Sequence, residues 1–100
     1  MYRTLYLAKI AGNQRGIPMV EESIVNILHK FAAVLDSENI HVDRIVLYGS
    51  RGSGNPGPDS DIDVAVVSRD FGHDTVEEGM RLFRIAGKID SRLEPIPFSL

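Results

Sequence analysis

Two aspartates, Asp61 and Asp63, stand one residue apart at the start of an apolar run. If this run is a strand, both carboxylates lie on one face, about 7 Å apart along the strand, and Ile62, Val64 and Val66 face the core. Neighbouring carboxylates repel each other, and a divalent cation relieves that repulsion, since hard oxygen ligands suit Mg²⁺. Taken alone, the pattern favours a plainer interpretation, an exposed edge strand with both acids in water.

A second candidate for chemistry is Gly49-Ser50-Arg51, which follows directly after an apolar run that ends at Tyr48. Glycine lets the backbone turn sharply and approach a ligand closely. Backbone N–H groups at a strand-to-helix turn bind anions, while the Ser50 hydroxyl adds a donor and the Arg51 guanidinium a charge. By itself this tripeptide is a plain turn. Combined with the aspartates, it predicts a phosphate site at the end of one strand and a metal site at the start of the next.

Other phosphate and metal motifs are excluded by their spacing. The glycines of GSRGSG (49–54) fall at the first, fourth and sixth places, which is not G-x-G-x-x-G, and no Gly-Lys-Ser/Thr follows. The acidic run from Asp59 imitates the start of an EF-hand loop. However, the sixth place of that loop is Val64 rather than glycine, and the twelfth is Asp70 rather than glutamate.

The elements around these candidates follow from apolar periodicity and turn residues. Apolar side chains at helical spacing predict a helix over 19–38. Short runs of β-branched and apolar residues predict buried strands at 44–48 and 61–67. The Gly, Ser and Pro residues between the two strands predict a loop over 49–60.

A second helix and a third strand follow. A polar cap at Asp74, followed three residues later by an acid, predicts the start of a helix that runs to about Leu93. The small and apolar positions that continue this helix are Val76, Met80, Phe83 and Gly87. Residues 94–99 alternate with Pro95 and Pro97, and these prolines restrict the segment to an edge strand.

The order helix, strand, turn, strand, helix, strand predicts an α/β (α+β) domain with one small mixed sheet flanked by helices. A chain of 100 residues is expected to form a single domain over 1–100. Residues 1–18 are the least regular part. Tyr2 to Ile10 fit a short strand, and the segment also fits an N-terminal extension ahead of a start at Met19.

Composition excludes several classes of function. The absence of cysteine removes disulfides, zinc sites built from Cys and thiol nucleophiles. A formal net charge of −3 argues against a broad nucleic-acid surface, which normally has a basic excess. No apolar run approaches the roughly 20 residues that span a bilayer. We therefore expect no membrane contact and a cytoplasmic location.

Two segments together resemble the signature of a known superfamily: Tyr48-Gly49-Ser50-Arg51 and, after a loop, Asp59-Ser60-Asp61-Ile62-Asp63. The superfamily is that of the nucleotidyltransferases that include DNA polymerase beta. The likeness is greatest to its minimal members, the MNT antitoxin-like proteins, and covers about residues 20–98. The resemblance implies the nucleotidyltransferase fold and a third carboxylate on a later strand, at the position of Glu94.

The resemblance also implies a reaction, in which an acceptor hydroxyl attacks the α-phosphate of a nucleoside triphosphate and releases pyrophosphate. AMP from ATP is the expected group, and two Mg²⁺ ions are the expected cofactors. The catalytic and metal-binding residues would be Asp61, Asp63 and Glu94. The nucleotide-binding residues would be Gly49, Ser50 and Arg51. In one departure from the family pattern, Gly52-Ser53-Gly54 offers no second basic residue, so we expect weaker triphosphate binding.

The acceptor and the partners follow from the resemblance only as expectations. A HEPN-domain toxin protein is the expected acceptor and partner, nucleic acid is not expected, and a homo-oligomer is a further expectation for so small a domain. One alternative is a non-catalytic, antitoxin-like binding module that sequesters its partner. Another is a D-x-D transferase that uses nucleotide sugars, although such enzymes are usually much larger.

Overall fold

The computed structural model describes residues 22–48 and 61–100. These residues form two helices and three strands in the predicted order, so the α/β fold class is confirmed. The elements are α1 (Glu22–Ser37), β1 (Val42–Tyr48), β2 (Ile62–Ser68), α2 (Thr75–Gly87) and β3 (Leu93–Phe98). The loop predicted over 49–60 and the segment 1–18 lie outside the described residues.

The three strands form one mixed sheet in the order β1-β2-β3. β1 runs antiparallel to β2, and β3 runs parallel to it. On β2, Ile62, Val64 and Val66 are fully buried on one face, as strand alternation predicts. The aspartates at the start of β2 therefore lie in a central strand, and the edge-strand interpretation of this segment is wrong.

Both helices pack on the face of the sheet that carries these β2 residues. Apolar side chains of α1, α2 and the three strands form one core, which includes Leu28, Phe31, Ile45, Leu82 and Leu93. The opposite face of the sheet carries the alternate side chains of each strand. At one end of that opposite face Asp61 and Glu94 are exposed and Asp63 is half-buried, so these strand-end side chains are accessible to a ligand.

The turn after α1 fixes how β1 enters the sheet. Asn39 has a positive φ of 65°, and the Ile40 N–H donates to the Leu35 carbonyl at 3.0 Å. This is the Schellman arrangement, in which a left-handed residue ends the helix and an apolar pair closes the turn. Leu35 and Ile40 are both buried. The predicted helix over 19–38 is thus confirmed from Glu22 to Ser37, within the described residues.

β3 is an edge strand of the described sheet, as its prolines predicted. The Ile62 N–H donates to the Arg92 carbonyl at 2.7 Å, which sets the parallel register of β2 and β3. Along β3, the N–H and C=O groups of successive residues point to opposite edges of the strand. Those of Glu94, and of the residues two positions from it, point towards β2 and form the ladder hydrogen bonds. The backbone nitrogens of Pro95 and Pro97 point away from β2, where their missing N–H groups cost no ladder hydrogen bond.

The second helix differs from its prediction in length and in orientation. α2 ends at Gly87, and a turn over 88–92 separates it from β3, whereas the sequence pattern predicted a helix to Leu93. The buried side chains of α2 are Leu82, Ile85 and Ala86. The apolar positions that predicted the helix, Val76, Met80 and Phe83, are exposed. Two apolar stripes share this helix, and periodicity alone does not say which one faces the core.

Candidate metal centre

The structure brings Asp61, Asp63 and Glu94 together at one end of the sheet. Asp61 directly precedes β2, Asp63 is its second residue, and Glu94 is the second residue of β3. One carboxylate oxygen from each residue lies within 4.8 Å of the others. All three predicted metal-binding residues therefore meet in one cluster.

Strand register explains why residues 31 positions apart in the chain become neighbours. Asp63 and Glu94 are paired across the parallel strands, and the preceding pair is Ile62 with Leu93. Both members of that preceding pair are buried in the core, and their packing there stabilises this register. Because paired residues point to the same face, the two carboxylates project together onto the face without helices.

The electrostatics of the cluster are those of like charges held close together. The negative charge of Asp61, a hydrogen bond with its side chain, burial and the charge of Asp63 all raise the pKa of Glu94. Burial and the charge of Asp61 raise the pKa of Asp63. The ion pairs between described residues lie elsewhere in the protein and do not neutralise these carboxylates. The cluster therefore favours an added positive charge.

A divalent cation fits this donor set. Two oxygens bound to one Mg²⁺ at 2.0–2.1 Å lie at most about 4.2 Å apart, so a 4.8 Å cluster needs only small side-chain rotations. All the donors are carboxylate oxygens, which hard cations prefer. Asp61 and Glu94 are exposed and Asp63 is half-buried, so a hydrated ion can reach them. Asp63 and Glu94 have raised pKa values, and a bound cation would relieve the repulsion that contributes to both shifts.

Tyr48 is a neighbour of the centre to which the sequence analysis gave no chemical role. It is paired with Asp63 across β1 and β2, so Tyr48, Asp63 and Glu94 form one row across the sheet. Burial and the charges of Asp63 and Glu94 raise the pKa of the Tyr48 hydroxyl, which stays protonated as a donor. The sequence feature that could have indicated a role for Tyr48 is its position as the last residue of an apolar run, directly before Gly49.

The predicted phosphate site is not tested by the structure. Gly49, Ser50 and Arg51 lie outside the described residues, so their role in nucleotide binding stays a prediction. The residue before them, Tyr48, is described and is paired with Asp63. The strand end that leads into the predicted phosphate site is therefore adjacent to the carboxylate cluster.

The fold and the cluster define a small α/β protein with three carboxylates arranged for a divalent cation. Among models of known protein families, the nucleotidyltransferase domain matches residues 28–97. Because this match covers more than half of the chain, the protein belongs to the nucleotidyltransferase domain family. The comparisons with curated proteins and with solved structures find no match.

Family membership confirms the resemblance seen in the sequence and gives the general chemistry. Members of this family transfer a nucleotidyl group, which implies a nucleoside triphosphate substrate and a divalent metal in general. The matched span contains all three carboxylates of the cluster. A separate observation concerns membranes: neither described helix combines the length and the apolar character needed to cross one.

Proposed function

We propose that this protein transfers AMP from ATP to a hydroxyl group of a partner protein, and that the partner is a HEPN-domain toxin. The observation that carries the proposal is the meeting of Asp61, Asp63 and Glu94 in one cluster on a chain of the nucleotidyltransferase family. We further propose Mg²⁺ as the metal, because the donor set consists of carboxylate oxygens.

The reaction forms one bond and breaks another at the α-phosphorus. The acceptor oxygen bonds to that phosphorus, the bond to the bridging oxygen of the β-phosphate breaks, and pyrophosphate leaves with the electron pair. The metal, when bound, supplies positive charge that stabilises the entering and leaving oxygens. Asp61, Asp63 and Glu94 would hold it.

Glu94 has a second role in this proposal, since its carboxylate is exposed at the edge of the cluster. The attacking hydroxyl must lose a proton, and a carboxylate within hydrogen-bond reach can accept it. Gly49, Ser50 and Arg51 hold the β- and γ-phosphates in this proposal, as the family resemblance implies.

A protein acceptor is supported by charge and by the resemblance to minimal antitoxin-like members. The formal net charge of −3 disfavours a long phosphate backbone as the acceptor. A single hydroxyl on a folded partner needs only local access to the open face of the sheet. The described carboxylates lie on that accessible face.

The test is transfer of label from ATP carrying ³²P at the α-phosphate to a purified HEPN-domain protein, with and without Mg²⁺. We expect labelling of the partner that requires Mg²⁺. Asp63→Asn should reduce it on the order of a thousandfold, because metal stabilisation of the transition state supplies several kcal/mol. Asp43→Asn is the matched control, since among the described residues this aspartate forms an ion pair with Arg44 on the surface.

Three outcomes decide the matter. Labelling that survives Asp63→Asn contradicts the role of the cluster. A partner that is bound and neutralised equally by the native chain and by Asp63→Asn, without labelling, identifies a sequestering module instead of an enzyme. Transfer of label from a labelled nucleotide sugar, with none from labelled ATP, contradicts the proposed donor.

A further inference from the structure

Helix α2 carries an exposed apolar stripe that the metal centre does not use. Val76, Met80 and Phe83 are 71%, 57% and 63% exposed, although they are large apolar side chains. Their spacing of four and three residues places them on one side of the helix. A contiguous apolar surface of this kind marks an interaction site more often than scattered single residues do.

The stripe forms one wall of a groove of about 600 Å³, and β3 forms the other wall. We call it the α2–β3 groove, lined chiefly by Val76, Met80, Phe83, Pro95, Ile96 and Pro97. The prolines leave the outer edge of β3 with few backbone donors, so a partner strand cannot extend the sheet there. The occupant must therefore pack through side chains.

The charges beside the stripe change sign along α2. Glu77 lies in the first turn of the helix, while Arg84 and Lys88 lie at its other end. All three are exposed and lie on the same flank of the stripe, since they are spaced seven and four residues apart. No ion pair within the described residues uses them.

The exposed charges of α2 are complementary to those of a second copy whose α2 helix runs in the opposite direction. When two helices pack antiparallel, the same flank of each faces the other, and the two-fold axis pairs residue i with j and j with i. An axis beside Met80 sets Glu77 of one copy against Arg84 of the other, in both directions. The same axis sets Val76 of each copy against Phe83 of the other.

We infer that the α2–β3 groove is a homodimer interface, in which the α2 helices of two copies pack antiparallel across a two-fold axis. The apolar stripe of each copy fills the groove of the other, and two Glu77–Arg84 pairs close the rim. The carboxylates of Asp63 and Glu94 project from the sheet face opposite α2 and are not among the residues that line the groove, so dimerisation leaves both metal centres accessible.

The first test is sedimentation equilibrium of the full chain over a range of concentrations. We expect a dimer, and we expect Phe83→Glu to raise its dissociation constant by more than about tenfold, because aromatic side chains dominate interface energetics. Phe83 is mostly exposed in the monomer, so its replacement should preserve folding, which far-UV circular dichroism checks. Mg²⁺ binding by Phe83→Glu should equal that of the native chain.

Charge reversal then tests the proposed register. Glu77→Lys and Arg84→Glu should each weaken self-association on the order of tenfold or more, because each creates two like-charge contacts per dimer. Mixing these two variants should restore association, since every pair in the heterodimer is again opposite in sign. Lys30→Glu, an exposed residue of α1, is the matched control for charge reversal.

The inference fails if the native chain stays monomeric at 100-fold above the concentration used for activity, which would assign the groove to a different protein. It also fails if the dimer is unaffected by Phe83→Glu, because another surface then forms the contact. Failure of the mixed variants to associate contradicts the antiparallel register. None of these outcomes depends on nucleotidyl transfer, so this test is separate from that of the proposed function.

Discussion

The two ends of β2 carry aspartates in opposite electrostatic conditions. At the start of the strand, burial and the charge of Asp61 raise the pKa of Asp63. Just beyond its end, Asp70 accepts the backbone N–H of His41 at 2.7 Å, and the His41 ring nitrogen Nδ1 lies 2.8 Å from the same oxygen. These contacts lower the pKa of Asp70.

Hydrogen-bond partners distinguish a structural carboxylate from one that binds a cation. Asp70 has its hydrogen-bond partners within the fold, and so does Glu78, which accepts the backbone N–H groups of Gly72, His73 and Asp74. Among the described residues, no backbone N–H donates to the cluster at the other end of β2, which consists of mutually repelling acids with one hydrogen bond between Asp61 and Glu94. A fold keeps that arrangement at a cost in stability, and an external cation offsets the cost.

The largest expected effect of this difference is stabilisation by Mg²⁺. A ligand that binds only the folded state at 100 times its dissociation constant adds about 2.7 kcal/mol to the free energy of unfolding. We expect this gain for the native chain in thermal or urea unfolding. Asp63→Asn should lose most of it, and without metal this variant should be at least as stable as the native chain because one repulsion is gone.

Asp70→Ala provides the contrast in the same experiment. Its metal-free stability should fall, but its gain from Mg²⁺ should equal that of the native chain. If both variants lose the gain, Mg²⁺ acts on the protein as a whole and the two ends of β2 do not differ in the proposed way.

Strand alternation was enough to predict that Asp61 and Asp63 share a face, and the structure bears out that Ile62 and its alternates are buried beneath them. The pairing of Asp63 with Glu94 could not be predicted from the residue pattern alone, because it depends on the parallel register of β2 and β3, which are connected through a helical crossover. Glu94 entered the prediction only by the family resemblance.

The remaining errors have physical causes in α2. Its polar cap was correct, since Asp74 accepts the N–H of Glu77 at 3.1 Å. The helix end was wrong because Gly87, the last residue of α2, was counted among the positions that continue the helix, although glycine is a common helix-end residue. The apolar residues that follow belong to the turn and to β3. The apolar stripe was predicted as a helical feature, but it lies on the surface, where we propose that a second copy covers it.

A smaller effect is expected from breaking the contacts at the far end of β2. Asp70→Ala removes the acceptor of two contacts to His41 and leaves a backbone N–H without its partner. Because the site is partly exposed, we expect a loss of about 1 kcal/mol in the free energy of unfolding. Urea denaturation followed by circular dichroism measures it.

The matched control is Asp43→Ala, which removes a surface ion pair to the adjacent Arg44. Exposed pairs contribute between about 0 and 1 kcal/mol, so this variant should be clearly less affected than Asp70→Ala. Equal losses would mean that the backbone hydrogen bond of Asp70 has no special value.

The smallest expected effect is a pH dependence with two opposite arms, measured without metal. Unfolded carboxyl groups titrate near pH 4. Asp63 and Glu94 have raised pKa values, so the folded state takes up protons first, and stability should rise as pH falls from neutral towards about 4. Asp70, which faces His41 and Arg69, has a lowered pKa, so its contribution should be lost as pH falls below about 4.

The variants assign each arm to one end of β2. Asp63→Asn should flatten the rise above pH 4 and keep the fall below it, whereas Asp70→Ala should reduce the fall and keep the rise. Excess Mg²⁺ should also remove the rise in the native chain, because the cation replaces the protons that relieve the repulsion. A native chain whose stability only decreases from neutral pH downwards, with or without Mg²⁺, would contradict the repulsion among Asp61, Asp63 and Glu94 and with it the reason for a cation at this end of the strand.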